Sequence, residues 1–111
     1  MYEIKLNTSD LAWSAENSGV SMKVLHQNES SGAMTGMTRL AAGSSIPAHS
    51  HTHADQAVFV IEGDLIEEGV TYGPGSFLLA KAGTPHGPHS SSGGCVLLST
   101  YFGKPDFVPV E

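Results

Sequence analysis

Apolar residues along this chain come in short bursts, broken by Gly, Pro, Asn and Ser clusters at intervals of roughly a dozen residues. The bursts predict strands over Ser21–His26, Thr35–Leu40, Gln56–Glu62, Asp64–Glu67, Val70–Tyr72, Phe77–Lys81 and Val96–Phe102. QNESSGAM reads as the turn between the first two strands, and EEG at Glu67–Gly69 as a tight turn. YGPGS reads as a turn in which Gly73 and Gly75 are free to take positive φ. One helical turn is expected after Ser9 or Asp10. Many short strands with frequent turns argue an all-β barrel or sandwich.

The strand from Gln56 is apolar on both faces. Val58 and Val60 share the face of Gln56, while Ala57, Phe59 and Ile61 take the other. A strand buried on both sides needs cover on both. A barrel interior supplies one cover, and a second copy of the chain is the expected source of the other, so a homodimer is predicted.

Composition narrows the functional classes. The 111 residues fit one compact domain, 1–111. Net charge is −6, and the only cations are Lys5, Lys23, Arg39, Lys81 and Lys104. No basic stripe exists, so nucleic-acid binding is not expected. Apolar runs such as Ala57–Ile61 fall far short of the ~20 residues of a membrane span. MYEIKLNTSD lacks the apolar core of a signal peptide. Cys95 is the single cysteine, so no internal disulfide forms, and a reducing cytoplasm is the expected setting.

The chemistry concentrates in PAHSHTHADQ. His49 and His51 are two apart, and in extended chain such residues point to one side, so two imidazoles can converge on one ion. Gln56 begins the next strand, and His86 lies on a separate segment, AGTPHGPH, which a hairpin can fold back beside the pair. Imidazole suits zinc, iron, nickel, copper and manganese alike. His53 continues the alternation but falls in the turn before Gln56, which places it at a mouth or on the surface.

The two stretches around these residues resemble the paired motifs of the cupin superfamily. The first runs from Gly43 through His49, His51 and Gln56 to Gly63, and the second from Gly75 to Gly83-Thr84-Pro85-His86. Lys81 and Ser76 replace a common Pro and Asp of the second motif. Trp13, Gly19-Val20, TRL, EGD followed by a very short hairpin, and Gly94-Cys95 extend the likeness to ChrR-type cupin domains over nearly the whole chain. The resemblance implies a small antiparallel double-stranded β-helix (a cupin or jelly-roll barrel). It implies a divalent ion, such as Zn, Fe, Ni or Mn, held by His49, His51, Gln56 and His86. That family includes the sensor half of an anti-sigma factor and stand-alone dioxygenases that cleave small diketones or hydroxyketones. The chain has no room for a separate sigma-binding domain, so an anti-sigma role is not expected.

Gln56 stands where the pattern has Glu. Its amide oxygen can ligate but brings no charge. Three imidazoles and an amide leave the ion its full +2, which lowers affinity and strengthens Lewis acidity. This tilts the site away from redox cycling, although some cupin oxygenases work without a carboxylate ligand. Pectin-degradation cupins, which convert unsaturated uronates, share the H-x-H-x4-Q spacing. They place a proton-transfer carboxylate on the last strand, where this chain has Thr100. Asp106 supplies one only if the tail folds back over the mouth.

Three residues stand as further catalytic candidates: Glu62 as a buried acid or base, His89 as a base set against a solvated loop position, and Arg39 as an anion contact. Arg39 is set against an outward Arg paired with Glu. Tyr72, Tyr101 and Phe102 read as core or rim, Met22, Met34 and Met37 as gap-fillers, Cys95 as a small buried residue, and His26 as surface. The expected function is a metal-dependent enzyme on a small oxygenated substrate, of dioxygenase or sugar/uronate isomerase type. The alternative is a ligand- or metal-sensing module without turnover.

Overall fold

The computed structural model describes residues 1–110. Eleven strands follow a single 3₁₀ turn at Thr8–Asp10: β1 Val20–Gln27, β2 Met34–Leu40, β3 Ser45–Ile46, β4 His49–Ser50, β5 Gln56–Gly63, β6 Leu65–Glu67, β7 Val70–Tyr72, β8 Phe77–Ala80, β9 His89–Ser90, β10 Cys95–Tyr101 and β11 Val108–Pro109. The turn begins earlier than expected because the Asn7 side chain accepts from the Ser9 amide and caps it.

A five-stranded antiparallel sheet has the order β1-β2-β10-β5-β8, and a four-stranded one the order β3-β9-β6-β7. Both sheets feed one core. Leu40, Val60, Cys95 and Leu97 come from the larger sheet and Leu65 from the smaller. Val60 and Leu65 are essentially inaccessible, and burying each contributes about 2 kcal/mol. The result is a double-stranded β-helix: all-β as the alternation and turns predicted, and of the form that the cupin resemblance implied.

Local chemistry explains the joints. Asn28 accepts from the Ser30 and Ser31 amides and closes the β1–β2 hairpin. Glu68 and Gly69 both take positive φ in the two-residue β6–β7 turn. In YGPGS only Gly75 does so, because Pro74 and Gly75 occupy the centre of a turn closed by Ser76 N–H to the Gly73 carbonyl. Gly73 therefore needs no special conformation, contrary to expectation.

The outer face of the large sheet is covered only in part. The N-terminal segment covers β1 and β2: Lys23 donates to the Thr8 carbonyl, and Ser21 and Met37 are buried. Over β5 and β8, Phe59, Ile61, Phe77 and Leu79 stay 40–64% exposed. The two-sided burial expected for β5 is thus met on its inner face within one chain, while on the outer face Ala57 is buried and Phe59 and Ile61 are not.

Candidate metal centre

His49 and His51 lie on and just after β4, a strand of two residues held from both sides. On one side His49 and His86 exchange both backbone hydrogen bonds, at 2.9 and 2.8 Å, and Gly83 N–H donates to the His51 carbonyl. This pairing delivers His86 to the first two histidines. On the other side β11 pairs Val108 with Ser50 and Pro109 with His49.

The ring nitrogens are sorted by their partners. His49 Nδ1 lies 2.7 Å from the Pro47 carbonyl, and His51 Nδ1 lies 2.5 Å from the Asp106 carbonyl. A carbonyl only accepts, so both Nδ1 atoms carry hydrogen and both Nε2 lone pairs are free. His86 Nε2 is 3.1 Å from His49 Nε2, and His51 Nε2 is 3.0 Å from Gln56 Oε1. Adjacent ligands ~2.1 Å from one ion and at right angles to it stand roughly 3.0 Å apart. The spacing therefore fits a shared divalent ion. The donor atoms of His49, His51 and His86 all lie within 4.8 Å of one another.

Gln56 is buried, and its Nε2 donates to Tyr101 Oη at 3.3 Å, which turns Oε1 toward the histidines. Burial holds His49 below its ordinary value and pushes His86 down to about 4, where neighbouring histidine charges add to the effect. Neutral imidazoles are the form that ligates. Burial also raises the Tyr101 phenol, which keeps it a neutral hydrogen-bonding group.

A cavity of about 350 Å³ opens beside the cluster. Its wall is largely apolar, with Val20, Met22, Ile46, Val58, Leu97 and Phe107. Among the described residues lining it there is no Lys or Arg, and Glu67 is the one carboxylate.

The other candidates fall in different places. His89 is not a solvated loop residue. It sits on β9, half-buried, with its Nδ1 hydrogen-bonded to the Glu67 carboxylate and its ring 5.0 Å from that of His86 and 5.2 Å from that of His49. The Glu67 partner was not foreseen. It follows from β6 lying beside β9, a pairing between segments more than twenty residues apart.

Glu62 does not point into the cavity. Leu97 pairs with Val60 but Val96 with Glu62, so Ile61 is an extra residue, a bulge that breaks the alternation. Glu62 is exposed and lines a shallow groove that also takes in Arg39 and Val96. Arg39 lies on the outer face, its guanidinium 4.6 Å above the Trp13 ring, away from the cavity. His53 and His26 are exposed, as expected.

No curated protein sequence matches this chain. Among solved structures, a putative acetylacetone dioxygenase from Methylibium petroleiphilum superposes with a TM-score of 0.81 at 20% identity, covering 100% of this chain and 88% of that one. KdgF from Halomonas gives 0.72 at 20% identity over 86% and 91%. The anti-sigma protein ChrR of Rhodobacter sphaeroides, in complex with SigE, gives 0.70 at 21% identity, with 86% of this chain spanning 50% of that one. At such identities the likeness is one of fold. A family model described as the ChrR cupin-like domain matches residues 1–103, and by that match the chain belongs to the ChrR-like cupin family.

Proposed function

We propose that this protein is a metal-dependent enzyme acting on a small uncharged molecule with two oxygen donors, of the diketone or hydroxyketone class. His49, His51, His86 and Gln56 hold the divalent ion in this reading. The observation that carries it is the cavity wall: largely apolar with a few neutral hydroxyls such as Thr38 and Ser99, free of Lys and Arg, and with one imidazole–carboxylate pair beside the histidines.

A divalent ion at this position supplies Lewis-acid polarisation of the substrate's oxygens. The chain's own residues do the rest. The apolar wall strips water from the substrate and selects against a charged one. His89 donates from Nδ1 to Glu67, which leaves Nε2 as the acceptor for the acidic proton on a carbon α to a carbonyl, in a β-diketone the carbon between the two carbonyl groups. The C–H electron pair moves onto the carbonyl oxygens, and the Glu67 carboxylate steadies the imidazolium that forms. Gln56, held by Tyr101, adds no negative charge and so keeps the pull on the substrate strong.

An anionic uronate fits this wall poorly. Lys23 and Arg39, next in sequence to the cavity-lining Met22 and Thr38, are spent on the outer face around Trp13. The test is a substrate panel with metal-loaded protein. Consumption of oxygen, or exchange of the acidic carbon-bound proton, is expected with diketones. A loss of about 10²-fold is expected for His89→Ala and for Glu67→Gln. Loss of ultraviolet absorbance with unsaturated uronates, and silence with diketones, would overturn the reading. If neither substrate turns over and a small ligand only raises Tm, the protein is a sensing module, the role that its half-length likeness to ChrR favours.

The exposed Phe59, Ile61, Phe77 and Leu79 further support pairing with a second copy. Light scattering that finds a monomer at micromolar concentration removes that part of the reading.

A further inference from the structure

The family match ends at residue 103, yet the chain beyond it runs directly across the metal centre. We propose that residues 104–110 form a strap that fixes His49 and His51 as ligands and roofs the cavity, with Asp106 and Phe107 as its positioning residues. This rests on the ligand set given above.

The strap is attached along its length. It turns back at Gly103, where an added Cβ would stand 2.7 Å from the His53 carbonyl oxygen, so only glycine lets the backbone pass so close. The Asp106 carboxylate then accepts from the Thr52 amide at 2.7 Å and from the Thr52 hydroxyl at 2.5 Å. That grip sets the Asp106 carbonyl on His51 Nδ1. Phe107 stacks on His49, with ring centroids 4.1 Å apart and planes at 24°, and joins the cavity lining. Val108 and Pro109 pair with β4, and Val110 N–H donates to the Ala48 carbonyl at 3.2 Å.

The chemistry of these contacts is that of ligand orientation. A histidine ligand must present one particular nitrogen, and the hydrogen bond on its other nitrogen decides which one that is. His51 has that bond only to the strap. His49 has its own from Pro47, but its ring plane is held by Phe107. The strap therefore supplies both tautomer and tilt from outside the residues that bind.

Cobalt(II) alone is the probe, its dissociation constant read by calorimetry and its geometry by the visible absorption band. Asp106→Ala keeps the carbonyl but releases its grip on Thr52. It is expected to weaken cobalt binding about 10-fold and to shift the band, with the Tm of the metal-free protein little changed. Thr52→Val removes one of the two bonds from the opposite side and is expected to act in the same direction, less strongly. Asp106→Asn keeps an acceptor oxygen and is expected to restore most of the affinity. An Asp106→Ala dissociation constant within twofold of the parent, or a loss that Asp106→Asn does not reverse, overturns the strap while leaving the ligand set standing. A parent protein that takes up no cobalt overturns both.

Discussion

At the metal end of the barrel, Asp106 takes hydrogen bonds from the amide and hydroxyl of Thr52. At the opposite end, Asp64 takes them from the amide and hydroxyl of Ser92, and adds the Gly93 amide. The device is the same, a carboxylate pinning a loop, but what lies behind it differs. Behind Asp64 the chain is sealed: Leu65, Ser91 and Cys95 are buried, and Gly63 lies so close to Gly94 that an added Cβ would meet its carbonyl oxygen at 2.0 Å. Behind Asp106 lie imidazoles and a cavity. One end is closed by packing and holds the fold. The other is closed by the polar grip of Asp106 on Thr52 and by the Phe107 ring stacked on His49, over a cavity.

The contrast yields graded tests. The largest effect belongs to the ligands. A His49→Ala, His86→Ala double variant is expected to retain no stoichiometric metal after desalting, by elemental analysis, and retention would remove the assignment. Next comes the sealed end. Gly63 has φ of +83°, so Gly63→Ala meets both backbone strain and the close contact with Gly94. A loss of roughly 10 °C in Tm is expected for it. Asp64→Ala is expected to lower Tm by several degrees while leaving the cobalt dissociation constant within twofold of the parent. If it weakens metal as much as Asp106→Ala does, the two ends are not separable. The smallest effect is one of pH. The Ser92 and Gly93 amides hold the Asp64 carboxyl below its ordinary value of 3.8. Its contribution is full above that value and fades as pH falls through the lower folded one. The Tm gap between the parent and Asp64→Ala is thus expected to narrow from about pH 7 to about pH 3.

The long strands that run between the two ends were the more legible part of the sequence. They are long enough to show alternation, and β1, β2, β5 and β10 match the expected runs to within a residue or two. At the metal end, β3, β4, β9 and β11 are two residues each, and two residues have no period to read. His49, His51, Gln56 and His86 were nevertheless legible, because the stretches that carry them resemble the paired cupin motifs. Glu67 was not, since its meaning comes from β9 lying alongside β6. Glu62 misled because strict alternation cannot anticipate a bulge. A carboxylate from Asp106 at the mouth required the tail to fold back. It does fold back, but what reaches His51 is the backbone carbonyl of Asp106, while its carboxylate faces Thr52.

The groups that orient His49 and His51 are the carbonyls of Pro47 and Asp106. A main-chain oxygen does not ionise, and no point substitution deletes it. Mutation at either position can loosen the acceptor, as expected for Asp106→Ala, but cannot remove it, so changes elsewhere in the wall leave the orientation of both imidazoles in place. Gln56 is different: its oxygen belongs to a side chain, and one exchange to Glu adds a full charge to the centre. The site thus separates what is fixed from what can be tuned. Its aim is written into the path of the chain, and under the proposed reading the charge at its centre rests on one replaceable side chain, which can change without rebuilding the pocket.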